Sequence, residues 1–168
     1  LGVLEVIANW DDTVRELISE SNVDTYVKPV FATLMTYSIL TPEQAQAVEI
    51  GCITDFLASP LCRRLCDAEK IYREYRFDLL VDASIYDRDA AGEEIMLQGV
   101  VDCAFETPAG LVIVDFKTDR VTAKDVAARA EHYRPQLEAY AAALGKVLQR
   151  PVREKLLYFF HTKSAVNL

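Results

Sequence analysis

The segment Leu111–Lys117, LVIVDFK, constrains this chain more than any other. Four apolar residues run without a break and then meet an acid, a ring and a lysine. A short apolar run of this kind suits a strand covered on both faces. Thr107-Pro108-Ala109-Gly110 precedes it, with Pro and Gly as breakers, and Ile95–Glu106 lies on the far side of that turn. The spacing predicts an antiparallel hairpin over 95–116. Ile71–Tyr86, rich in β-branched and aromatic residues, predicts an earlier strand, and Asp87–Glu94 with Gly92 a polar loop.

Helical patterns surround the strands. Apolar residues recur at Val14, Leu17 and Ile18, and again at Val27, Val30, Phe31 and Leu34. In Thr41-Pro42-Glu43-Gln44 the threonine can cap, the proline suits the first helical position and the glutamine completes a capping box. Ser59-Pro60 starts a short helix ending near Asp67. Thr122 is expected to cap a later helix that Arg134-Pro135 interrupts, with a second helix from about Pro135 to Leu148. Val152–His161 is the final predicted strand. The expectation is an α/β domain with a mixed central sheet flanked by helices. Residues 1–67 form its helical N-terminal part and 68–168 its α/β core.

With 168 residues, 51% of them hydrophobic, the chain can bury a core. No apolar run reaches the roughly 18 residues that span a bilayer, and LGVLEVIANWDD lacks the basic start of a signal peptide. We expect a cytoplasmic protein with no membrane partner. The net charge of −8 argues against a free-standing nucleic-acid-binding module. It is compatible with acidic side chains that a cation neutralises. Cys52, Cys62, Cys66 and Cys103 lack the spacing of a zinc or iron–sulfur site, so free thiols in a reducing compartment are expected.

The chemistry concentrates on Asp102, Asp115 and Lys117. Asp115 and Lys117 are two apart on a strand, and Asp102 lies on the neighbouring strand of the predicted hairpin. Both acids interrupt apolar stretches, which is costly for a carboxylate unless it is paired or bound to metal. Two carboxylates beside a lysine form a hard oxygen site suited to Mg²⁺ or Mn²⁺ together with a phosphate. Glu74 sits near the start of the first strand, and Gln98 shares the Asp102 face by alternation. Gln136 and Tyr140 are at i and i+4 on one helix and can face one partner. Two loose basic groups are candidates for phosphate contacts: Arg63, Arg64, Lys70, Arg73 and Arg76, then Lys117, Arg120, Lys124, Arg129 and Arg134.

Glu74 in REYRF, Gln98-Gly99-Val100-Val101-Asp102 in LQGVVD, Asp115-Phe116-Lys117-Thr118 in VDFKT and Gln136-Leu137-x-x-Tyr140 in PQLEAY occur in an order that resembles the RecB-like branch of the PD-(D/E)XK nucleases. With LTPEQAQAV, FLASPL and LYFFHT the resemblance covers about residues 41–163, and it is nearest to the C-terminal nuclease domain of ATP-dependent helicase–nucleases. It implies a restriction-endonuclease-like fold. It implies that Asp102, Asp115 and the backbone carbonyl of Phe116 hold Mg²⁺, with Mn²⁺ as a substitute. Lys117 would be the catalytic lysine, and Glu74 would support the metal-bound water or the lysine. Gln98, Gln136 and Tyr140 would contact DNA or brace the site. The implied partners are DNA, the helicase part of the same polypeptide and a second helicase–nuclease subunit. The implied activity is that of an exonuclease in double-strand-break processing.

Such nucleases carry a metal-binding His on an early helix, and this chain has only His132 and His161. Leu1–Ile7 resembles the residues just after that His, so the chain is expected to be a fragment starting past it. No P-loop is present, so no ATP site is expected in this piece. A different class of function is a nuclease-fold module that does not cut and only guides DNA or docks a partner subunit.

Overall fold

The computed structural model describes residues 23–85 and 88–168. The helical spacing expected at Val14, Leu17 and Ile18, and the segment Leu1–Ile7, lie outside the described residues. Helices α1 (Val23–Thr36), α2 (Pro42–Ala47), α3 (Ile50–Leu57) and α4 (Pro60–Cys66) come first. They are followed by β1 (Ile71–Asp82), β2 (Glu94–Thr107), β3 (Gly110–Lys117), α5 (Val126–Val147), β4 (Val152–Phe159) and β5 (Ser164–Asn167). The strands form one sheet in the order β1-β2-β3-β4-β5. β1–β2 and β2–β3 are antiparallel. β4 runs beside β3 in the same direction, since Leu111 N donates to Pro151 O at one end and Phe160 N to Lys117 O at the other. The sheet is therefore mixed, and α5 is the crossover that a parallel pair requires.

The caps form as their residue types dictate. Gln44 N donates to Thr41 Oγ1 at 3.2 Å and Thr41 N to Gln44 Oε1 at 3.0 Å, a complete capping box. Ser59 Oγ caps α4 by accepting from Cys62 N at 3.1 Å.

Four expectations need correction. Arg134-Pro135 does not interrupt α5, which is continuous. An internal proline costs about 3 kcal/mol. Burying Leu137 and Leu144 completely, at roughly 1.5–3 kcal/mol each, outweighs that penalty. Arg134 also spans the proline turn through two bonds to Glu131, at 2.7 and 2.6 Å. Second, α5 begins at Val126; Thr122 instead closes a turn, with Oγ1 donating to Asp125 Oδ2 at 2.6 Å. Third, β1 ends at Asp82 rather than Tyr86, because that carboxylate accepts from Ser84 N at 2.8 Å and Gly92 N at 3.1 Å and closes the loop. Fourth, the final strand ends at Phe159, and the chain turns into β5, four residues too short to leave a periodic signal.

The chain divides into two compact units. In the first (Leu1–Ala68, Phe116–Val126 and Tyr158–Ala165), Val27, Phe31 and Leu34 of α1 are buried, as are Ile53, Phe56 and Leu57 of α3 and Leu61, Cys62, Leu65 and Cys66 of α4. Phe56 stands edge-on to Phe116 at 5.1 Å and to Tyr158 at 4.9 Å between ring centroids. In the second unit (Glu69–Asp115, Ala127–Leu157 and Val166–Leu168), Phe77, Val101, Ala104, Leu111 and Ile113 of the sheet pack with Ala143 and Leu144 of α5.

Candidate functional site

Asp102, Asp115 and Glu74 all belong to the second unit. β2 and β3 pair from Thr107↔Gly110 to Cys103↔Val114, and Asp102 and Asp115 are the next residues beyond that last pair. On the other side of β2, the pairs Arg73↔Cys103 and Tyr75↔Val101 flank Glu74, which stands opposite Asp102.

That row is also where the sheet is irregular. Glu74 has φ +45°, a left-handed conformation that a non-glycine residue adopts only under constraint. Val101 and Ala104 pack into the same core although they are three apart. A regular strand would send them to opposite faces. The alternation therefore changes phase at Asp102, level with Glu74.

Asp115 is 2% exposed and is the only buried charged side chain among the described residues. Its Oδ1 accepts from Gln136 Nε2 at 3.4 Å, and the same Nε2 donates to Tyr140 Oη at 2.8 Å. The i, i+4 pair read from the sequence does meet, and its Gln136 reaches Asp115. The Tyr140 ring in turn packs against Phe77, with centroids 5.9 Å apart. Gly99 makes room for this: a Cβ there would lie 2.7 Å from the Phe77 ring and 3.2 Å from that of Tyr140.

Gln98 is placed differently. Its Nε2 donates to Asp78 Oδ1 at 2.8 Å, across the β1–β2 ribbon. Phe116 and Lys117 fall in the first unit, on the last two residues of β3; both are half-buried, and Lys117 O accepts from Phe160 N at 3.0 Å. Among the described residues, no group of three His, Cys, Asp or Glu side chains is close enough to hold a metal ion. None of the four cysteines is in a disulfide bond. Burial first, then the Asp102 charge, pushes the Cys103 thiol up to about 12, so it stays protonated at neutral pH.

Sequence reasoning missed the pairing of Arg129 with Tyr133 on α5. The guanidinium lies 4.9 Å from the ring centroid, and Nη2 donates to Tyr133 Oη at 2.9 Å. Their i, i+4 spacing was the available signal. It also missed the cluster near the β2–β3 turn, where Glu106 accepts from Tyr72 Oη at 2.6 Å and from Arg150. Those residues are far apart in sequence and left no local pattern.

A mixed five-stranded sheet with helices is consistent with a restriction-endonuclease-like α/β fold. Residues 15–167 match the sequence profile of the PD-(D/E)XK nuclease superfamily, and the chain belongs to that superfamily. It is similar to proteins named as ATP-dependent helicase/nuclease subunits. The identity is 40% over 76% of this chain for the Acetivibrio thermocellus protein and 39% over 89% for that of Desulforudis audaxviator. For the Bacillus cereus protein it is 36% over 84%. The chain spans 11–12% of the length of these relatives.

Proposed function

We propose that this chain is the metal-dependent DNA nuclease domain of a helicase–nuclease that processes double-strand breaks, with exonuclease activity. Residues 1–67 are its helical part and 68–168 its catalytic core. The observation that carries the reading is Asp115, a carboxylate buried near the end of the apolar strand β3. Burying an ionised carboxylate costs several kcal/mol unless a positive charge or strong donors compensate. Two carboxylates are also what Mg²⁺ commonly takes from a protein, the rest of its shell coming from water and substrate phosphate.

In this reading Asp102, Asp115 and the Phe116 carbonyl hold the cation, Mg²⁺ or Mn²⁺. When bound, the cation polarises the phosphate and lowers the pKa of a water. Lys117, two residues beyond Asp115, orients the attacking water and offsets charge on the phosphate oxygens. Glu74 supports that water or the lysine. Gln136 and Tyr140 brace Asp115: Gln136 fixes one carboxylate oxygen, and the Tyr140 hydroxyl, which accepts from Gln136, keeps its own proton to donate. Gln98 braces the ribbon behind the site through Asp78. The partners are DNA, the helicase part of the polypeptide and a second helicase–nuclease subunit, in the cytoplasm; among the described residues no helix is long and apolar enough to cross a membrane.

The test is cleavage of a labelled oligonucleotide by the full-length protein with Mg²⁺ and without ATP. Asp115→Ala and Lys117→Ala should each lower the rate by at least about 100-fold. Chelation with EDTA should abolish it, and Mn²⁺ should restore it. Undiminished cleavage in both variants would refute the site. Failure of the unaltered protein to bind Mn²⁺ or cleave DNA would leave the non-cutting module as the better account.

A further inference from the structure

Two cross-strand pairs of the β1–β2 ladder, Tyr72↔Ala104 and Tyr75↔Val101, stand on the core that includes Ala143 and Leu144 of α5. The Tyr72 and Tyr75 rings meet edge to face, with centroids 5.5 Å apart. In each strand the two core-facing residues are three apart, where regular alternation allows two or four. Both strands therefore change phase at the same level. The register does not change there: Arg73↔Cys103 and Tyr75↔Val101, on either side of that level, belong to one ladder. Neither strand gains a residue on the other, so the two turn together. Between those pairs lie Glu74 and Asp102, and Glu74 carries the left-handed backbone, with φ +45°.

We infer that the left-handed backbone of Glu74 is the pivot that aims the Asp102 carboxylate, so that Glu74 is a positioning residue for Asp102 apart from anything its own carboxylate does. The inference rests on the nuclease reading above and deepens it. Counted from Ala104, alternation would send Asp102 into the apolar core; counted from Val101, it would send Asp102 to the opposite face. Asp102 is half-buried where the two phases meet, and its direction is set by the turn of the strands rather than by alternation. Glycine reaches φ +45° at least cost, and asparagine more readily than most other residues. Glu74 is exposed, so burial of its own side chain does not drive it into that conformation. The constraint comes from its neighbours: Tyr72, Tyr75, Val101 and Ala104 all reach the core only if the strands turn between them. A glutamate kept where glycine would fit more easily puts a carboxylate on the pivot as well.

Substitutions that differ in their tolerance of a positive φ test the pivot in the full-length protein. Glu74→Gly and Glu74→Val both remove the carboxylate, but valine resists the left-handed conformation. Glu74→Asn and Glu74→Gln form a second pair, both amides, of which asparagine adopts it more readily; this pair decides if the valine variant does not fold. Mn²⁺ affinity is read by calorimetric titration, the binding lost in Asp115→Ala being the signal. Hydrogen exchange of peptides covering β1 and β2 is read in EDTA. Glu74→Val should bind Mn²⁺ about tenfold more weakly than Glu74→Gly, as loss of a group that orients a metal ligand does. Glu74→Gln should bind it a fewfold more weakly than Glu74→Asn, and both ladders should exchange faster in the valine and glutamine variants. Equal Mn²⁺ affinity within each pair overturns the pivot, whether or not exchange differs, and leaves the nuclease site standing if Asp115→Ala abolishes cleavage. If Asp115→Ala changes neither Mn²⁺ binding nor cleavage, the site reading fails, and the pivot with it.

Discussion

Near the turn of the β2–β3 hairpin, Glu106 is half-buried and is gripped by the Tyr72 hydroxyl and the Arg150 guanidinium. Towards the other end of the hairpin, Asp115 is more deeply buried, and the amide of Gln136, a neutral group, reaches it at a long 3.4 Å. The Tyr72 hydrogen bond, then the Arg150 and Lys70 charges, hold Glu106 below the usual carboxylate range against the opposing effect of desolvation. Glu106 is stabilised within the fold, as a structural acid should be. Asp115 is the more deeply buried of the two, and the Gln136 amide that reaches it also donates to the Tyr140 hydroxyl. In the proposed reading, the contrast is between an acid that holds the sheet together and one that holds a metal ion.

Three experiments can break or sharpen this contrast. The largest effect should come at the Asp115 end. Gln136→Ala in the full-length protein should lower Mg²⁺-dependent cleavage about 10–100-fold, as loss of a group that orients a metal ligand does. Urea midpoints should scarcely change. A large loss of stability with unaltered cleavage would place Gln136 on the structural side. Gly99→Ala should be intermediate and affect both properties. Its methyl would meet Phe77 at 2.7 Å, so overpacking should cost about 1–3 kcal/mol in urea unfolding. The displaced Tyr140 ring should lower cleavage as well. Unchanged stability would show that the ribbon yields without strain.

The smallest effect belongs to Glu106. Glu106→Gln should leave cleavage unchanged and lower Tm modestly at pH 7. A carboxylate with a depressed folded pKa adds stability that is present above its unfolded value of ~4.3 and is lost as pH falls through the folded value. The Tm gap between parent and variant should therefore close as the solution is acidified below about pH 4. A gap that persists there would show that Glu106 acts through packing rather than charge.

The caps at Thr41 and Ser59 and the hairpin with its Pro-Gly turn were legible because each depends on residues within a few positions of one another. The antiparallel pairing of β2 with β3 was legible for the same reason: a short turn fixes the register of its strands. Gln136 and Tyr140 were legible as a pair from helix geometry, but not their destination on Asp115, 21 residues away in sequence. Simple alternation put Gln98 beside Asp102; its bond to Asp78 and the phase change at Asp102 come from β1, where Glu74 takes a positive φ. The continuity of α5 through Pro135 follows from long-range burial that outweighs a local penalty. The sequence by itself determined which residues lie on β2 and β3 and that the two strands form a hairpin. Only the tertiary structure decided that Asp115 is buried against Gln136 and that Glu106 is clamped by Arg150. Strand and helix periods act over a few residues, whereas burial, charge compensation and side-chain meeting depend on segments that come together only when the sheet and its crossover helix pack.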